Sequence, residues 1–300
     1  MHQHHNHHSP VDTGFNSFFD MWSPDVLLFT LLLAVLYFLL TGPWRSRFAN
    51  AAPVSGKQKA VFVLALVFFY AAQGSPINYY GHEYLFSAHM FQQSLLYFIV
   101  PPMILIGLPE WFLHFVFRPV FMKKLLRAFT QPVIAALTFN ALFSFYHIPF
   151  IFDAAAENHV WMSVYHMVLI IAAFMMWWPI VSPISEVGQL AGLRKVAYIF
   201  ANGVLITPAC ALIIFANDLL YSTYSQVPEV LAGHTALVDQ RLGGILMKLI
   251  QEFVYGSILA YVFYHWYQNE RQTDLPMDQQ PELPQAGVLA PAMADSKNRA

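Results

Sequence analysis

Thirteen histidines and a single cysteine set the chemistry open to this chain of 300 residues. A neutral imidazole is the commonest protein ligand for copper or zinc. One cysteine, Cys210, excludes an internal disulfide and every multi-cysteine metal site. Any metal here must rest on His, Met or carboxylate. Three histidines, His89, His147 and His166, fall inside or at the rim of apolar segments, where a polar ring is costly unless it faces a partner. Two readings suit them: a shared metal site, or hydrogen bonds between helices.

Supporting groups stand at helical spacing. Gln93 follows His89 by four residues and Met162 precedes His166 by four, so each pair shares a helix face. Soft thioethers at Met90, Met162, Met167 and Met247 would suit Cu(I), although Met is as often plain core filling. His82 and His159 flank the same region, and Asp239 and Gln240 add a carboxylate and an amide. The opening MHQHHNHHSP carries five further histidines able to gather a transition metal without folding, and its interruption by Gln3 and Asn6 favours native sequence over a purification tag. Lys248 and Glu252 lie one helical turn apart in an apolar run; the expectation is a mutual ion pair, with Glu252 as counter-charge or proton acceptor the functional alternative. There is no nucleophile elbow, phosphate-cradling glycine loop or zincin motif, so no enzyme is expected.

The elements that must position these residues are membrane spans. The chain is 57% hydrophobic and 11% charged, against about 25% charged in a soluble domain; its mean hydropathy is +0.48. A bilayer core of about 30 Å needs roughly 20 apolar residues as helix. Seven stretches qualify, near 25–42 (DVLLFTLLLAVLYFLLTG), 58–75, 86–108, 131–149, 161–181, 193–216 and 243–267. The expected fold is therefore an all-α bundle of seven transmembrane helices. Residues 1–24 form a His-rich N-terminal segment, 25–267 the membrane domain, and 268–300, rich in Pro, Gln, Asp and Glu, a disordered tail. No cleavable signal peptide is visible, and no internal repeat stands out.

Basic residues collect in short cytoplasmic loops. Arg45, Arg47, Lys57 and Lys59, then Arg118, Lys123, Lys124 and Arg127, then Arg194 and Lys195, and finally Arg271, Lys297 and Arg299 all fall on one side of the seven spans. That places the N-terminus outside and the C-terminus in the cytoplasm. On this topology His89 lies roughly 5 Å below the outer start of the third span, His147 roughly 3 Å from the outer end of the fourth, and His166 roughly 8 Å into the fifth. Three histidines on three helices share one shallow layer. With 15 basic and 17 acidic residues the chain offers no cationic face for nucleic acid; its expected surroundings are the lipid bilayer, and a homo-oligomer stays open.

Three segments taken together, SAHMFQQSLLYFIVPPMILIGLPEW (87–111), FYHIPFIFDAAAENHVWMSVYHMVLIIAAFMMWWPIVSP (145–183) and LVDQRLGGILMKLIQE (237–252), resemble the CtaG family of seven-span membrane proteins over about residues 25–267. Members of that family are assembly factors for bacterial caa-type cytochrome c oxidase. The resemblance implies a plasma-membrane protein that binds copper and delivers it to an oxidase subunit. By position, His89, His147 and His166 match the family's intramembrane histidines, and Asp239 and Gln240 its outer Asp-Gln. Many relatives have a Gln-His pair where this chain has Gln92 and Gln93, so His82, His159 or Met90 substitutes, or the metal is held more weakly. Transfer needs exchangeable ligands, which implies a two- or three-coordinate Cu(I) site. Two rival readings are a haem protein with His89 and His166 as axial ligands, and a transporter with Lys248 and Glu252 on its path.

Overall fold

A segment in lipid must satisfy its own backbone amides, which helices do internally. In the computed structural model, which describes residues 21–48, 50–184, 187–225 and 235–273, the apolar runs are helical and no strand occurs among the described residues. In chain order the helices are α1 (Pro24–Thr41), α2 (Gly56–Gln73), α3 (Pro76–Glu83), α4 (Phe86–Ser94), α5 (Val100–Gly107), α6 (Glu110–Val116), α7 (Val120–Phe129), α8 (Pro132–Tyr146), α9 (Pro149–Ala156), α10 (His159–Val181), α11 (Leu193–Ile214) and α12 (Ala236–Thr273). Residues 268–273, expected in a disordered tail, instead continue α12, while the N-terminal histidines, His234 and the rest of that tail, 274–300, lie outside the described residues.

Among the described residues, six helical runs are long and apolar enough to cross a bilayer: Pro24–Thr41, Gly56–His82, Phe86–Gly107, Val160–Val181, Leu193–Ile214 and Ala236–Gln268. The chain is thus a multi-pass membrane protein. The fourth expected span differs. α8 has 15 residues, about 22 Å of helix, and ends before His147. It makes a seventh crossing only together with α7, from which it is bent by 67°. Pro132 explains the break: it pushes Gln131 to an extended backbone (φ −57°, ψ 127°) while Thr130 Oγ1 bonds back to the Leu126 carbonyl at 2.6 Å. The seventh expected span starts earlier than 243, because α12 already begins at Ala236.

The third span is the most enclosed, 72% of its apolar window being buried inside the bundle. It packs against α2, α10 and α12, while α8 packs against α10 and α11. A π turn at Leu95–Ile99 joins α4 to α5, immediately before Pro101 and Pro102. Proline has no N–H to return to the carbonyl four residues earlier. The Tyr97 carbonyl that Pro101 cannot serve instead accepts the Trp177 Nε1–H at 2.9 Å. Below the histidines, Phe98, Phe139, Phe143, Trp177 and Tyr255 are buried in ring contact, and Asn140 Nδ2 donates to Asn202 Oδ1 at 2.9 Å between α8 and α11.

Candidate metal site

Four helices deliver the histidine layer. α3 is started by Pro76 and by Ser75, whose Oγ accepts the Ile77 N–H at 3.2 Å. α3 and α4 approach so closely at Gly81 that a Cβ there would stand 2.9 Å from the His89 nitrogen and 3.0 Å from its Cα. Only glycine fits, and His82 is thereby brought beside His89. At the start of α4 the Asp239 carboxylate of α12 accepts the Ser87 N–H at 3.1 Å and the Ser87 Oγ–H at 2.5 Å. α10 is capped by Asn158, whose Oδ1 accepts the Val160 and Trp161 amides at 3.0 and 3.3 Å, and His166 follows about two turns later.

The rings of His82, His89 and His166 form a triangle with centroids 5.9 Å (His82 to His89), 6.2 Å (His82 to His166) and 5.7 Å (His89 to His166) apart. At its base stands Tyr146, the last residue of α8. Its hydroxyl is 3.1 Å from His89 Nε2, 3.0 Å from His166 Nε2 and 3.0 Å from Met162 Sδ. Gln93 Nε2 lies 2.8 Å from His89 Nε2 and 3.5 Å from His166 Nε2. An amide donating to His89 Nε2 requires a lone pair there, and so the Nδ1–H tautomer. His89, Gln93, Tyr146 and Met162 are all buried, and His89 Nδ1 and Gln93 Oε1 have no partner among the described residues. Beside the triangle lies a cavity of about 40 Å³ lined by His82, His89, Phe152, Met162, Thr223 and Tyr224. It suits one or two waters or a single ion.

The expected residues separate into groups. His82, His89, His166, Gln93 and Met162 come together. His147 is buried next to them, but its ring packs on Phe143 and Tyr146 and its Nδ1 faces the Phe143 carbonyl at 2.7 Å. It makes no ring contact with His82, His89 or His166 among the described residues. Asp239 is engaged with Ser87, and Gln240 Oε1 accepts the Leu220 N–H at 2.7 Å. His159 opens α10, but its side chain lies outside the described residues. Met90 is buried against Gly243, in the path of any Cβ added there. Lys248 and Glu252 form the expected ion pair, 2.6 Å apart.

Sequence reasoning missed Tyr146 and the turn Ser222–Tyr224. Tyr146 left a signal, a phenol directly before His147 at the same end of an apolar helix. The turn left less. It is fastened by Asp153, whose carboxylate accepts the Ser222 N–H and Oγ–H at 3.0 and 2.8 Å and the Thr223 N–H and Oγ1–H at 3.2 and 2.9 Å. Tyr224 donates to the Gly81 carbonyl at 2.6 Å and Tyr221 to the His147 carbonyl at 3.0 Å. Burial, with Asp153 near, raises the Tyr221 pKa and keeps that phenol a donor.

Among the described residues no three His, Cys, Asp or Glu side chains are arranged to hold an ion together. No curated protein and no solved structure matches the chain. The model of the cytochrome c oxidase caa3 assembly factor family matches residues 35–269, which includes every member of the histidine cluster and its surrounding turn. With the match covering more than three quarters of its length, the chain belongs to the cytochrome c oxidase caa3 assembly factor family, Caa3_CtaG.

Proposed function

We propose that this assembly factor carries copper as Cu(I), holding it between His89, His166 and Met162 and passing it to a docked oxidase subunit. The observation that carries the reading is the meeting of His89 Nε2, His166 Nε2 and Met162 Sδ on a single Tyr146 hydroxyl, each within 3.1 Å of it. Two imidazoles and a thioether are a donor set for Cu(I). The set does not need a third His, Cys, Asp or Glu.

Each neighbour has a task. Gln93 donates to the same His89 Nε2 that copper would take, so it fixes the tautomer with a lone pair there and must give way when the ion binds. The Tyr146 hydroxyl holds the two imidazoles together and must yield when copper takes their lone pairs. His82 is half-buried on the cavity, with Nδ1 on the Asn78 carbonyl at 3.0 Å. Its Nε2 is placed to exchange the ion with incoming and outgoing carriers. Asp239 and Asp153 act on the backbone: one anchors α4, the other the turn beside the cavity. The haem reading finds less support, because about 40 Å³ is far below the roughly 300 Å³ at which pockets for organic ligands begin.

Titration of the purified full-length protein with Cu(I) against a chromogenic chelator tests the proposal. Wild type should retain copper, and the His89→Ala/His166→Ala double variant should lose at least about 100-fold in affinity, the upper range seen even for outer-shell changes. Equal affinity in the two proteins defeats it. In cells, deleting the gene should lower oxidase activity and copper content, and the double variant should fail to restore either.

A further inference from the structure

At the opposite side of α12 from the clamped Ser87, a groove of about 160 Å³ runs between α11 and α12, lined by Phe200, Gly203, Val204, Thr207, Glu252 and Gly256 among others. Gly203 is ten residues from Leu193 and eleven from Ile214, so the groove sits about 15 Å from either end of α11, at half-depth of the span. The Glu252 side chain is 57% exposed there. A carboxylate facing lipid at this depth is costly unless something satisfies it.

Lys248 satisfies only part of it. An ammonium has three donors, and those of Lys248 point to Thr207 Oγ1 at 3.0 Å, Gln251 Oε1 at 3.0 Å and Glu252 Oε1 at 2.6 Å. All three are committed. A carboxylate has about four acceptor positions, and Lys248 fills one. A second copy of this chain would bring another carboxylate and no uncommitted lysine proton. Lipid tails bring no donor at all.

We infer that this groove is an intramembrane docking surface for a transmembrane helix of a different chain, one bearing a side-chain N–H or O–H donor at half-depth that pairs with Glu252. Gly256 is the point of closest approach: a Cβ there would meet nothing within 4 Å inside the protein, so the space is open to a visitor. Phe200, 66% exposed, lines the groove, and Phe253, 75% exposed, follows Glu252 on α12. The inference concerns helix contact and does not depend on copper.

The test is photo-crosslinking in native membranes with the oxidase expressed, using p-benzoylphenylalanine at Phe200 and Phe253 and, as controls, at Leu31 and Val35 on exposed positions of α1. Adducts from Phe200 and Phe253 should map by mass spectrometry to a transmembrane segment of another chain with a donor side chain at the contact. Gly256→Leu, whose Cβ meets nothing within 4 Å and whose branch fills the groove, and Glu252→Gln should each reduce those adducts about five- to tenfold, the size of an interhelical hydrogen bond in lipid. Thermal transitions matching wild type establish that both variants fold. Adducts only to a second copy, adducts equal at the α1 controls, adducts unchanged in both variants, or none at all overturn the inference. Cu(I) affinity should be unchanged in both variants, which separates this result from the fate of the copper reading.

Discussion

A phenol hydroxyl shared by two imidazoles and a thioether has one proton to give and two lone pairs to offer. Tyr146 therefore bonds its neighbours as a competitor for their lone pairs, which defines a test of its own. Tyr146→Phe keeps the ring packed and removes the hydroxyl. It should lower stability by about 0.5–2 kcal/mol, the range for one buried hydrogen bond, while Cu(I) affinity stays level or rises. Thermal unfolding and chelator competition on the same preparation read both quantities. A fall in affinity as deep as that of the histidine double variant would instead make the phenol a ligand. Gly81 is the other decisive residue: alanine there drives a methyl into the His89 backbone at 2.9–3.0 Å. Overpacking against backbone costs about 1–3 kcal/mol, so Gly81→Ala should lower the unfolding midpoint and weaken copper binding together.

At the scale of elements, the positions of the site residues follow from how helices are interrupted. The π turn before Pro101 and the Trp177 indole that serves the stranded Tyr97 carbonyl keep the third span continuous through its centre. Trp177→Phe leaves that carbonyl unpaired in the core and should cost about 1–3 kcal/mol, seen as a lower midpoint in chemical denaturation with the histidine cluster otherwise intact. The turn Ser222–Tyr224 is held by four hydrogen bonds to one half-buried carboxylate. Asp153→Ala removes all four while leaving His89, His166 and Met162 in place. The expected outcome is faster Cu(I) exchange with little change in the number of ions bound, measured by stopped-flow transfer to a chelator.

For the whole molecule, the distribution of charge predicts which end of the bundle meets which compartment. Ten of the fifteen basic residues fall in the loops that follow the first, third and fifth expected spans, which the distribution of charge assigns to the cytoplasm. A C-terminal fluorescent fusion should therefore glow in living cells and a C-terminal alkaline phosphatase fusion should be inactive; the reverse pattern would turn the cluster toward the cytoplasm. Much of the architecture was legible in the residues. Runs such as Val61 to Ala72 and Met167 to Ile180 carry no charge, and a chain whose amides must be paired in lipid can answer only with helices. The shared layer of His89 and His166 followed from counting 1.5 Å per residue. The shortness of α8 was harder to see, because the apolar run expected over 131–149 continues past Tyr146, where the helix ends, to Pro149, which opens α9. Depth along a helix, moreover, says nothing about the direction a ring faces. The sequence by itself determined the class of fold and the level at which the imidazoles lie, since hydropathy and helical rise are local quantities. Only the tertiary structure decided that His82 joins His89 and His166, that His147 turns to the Phe143 carbonyl, and that Tyr146 binds the group, because those choices depend on close approach between helices, above all at Gly81, which no periodicity along one chain records.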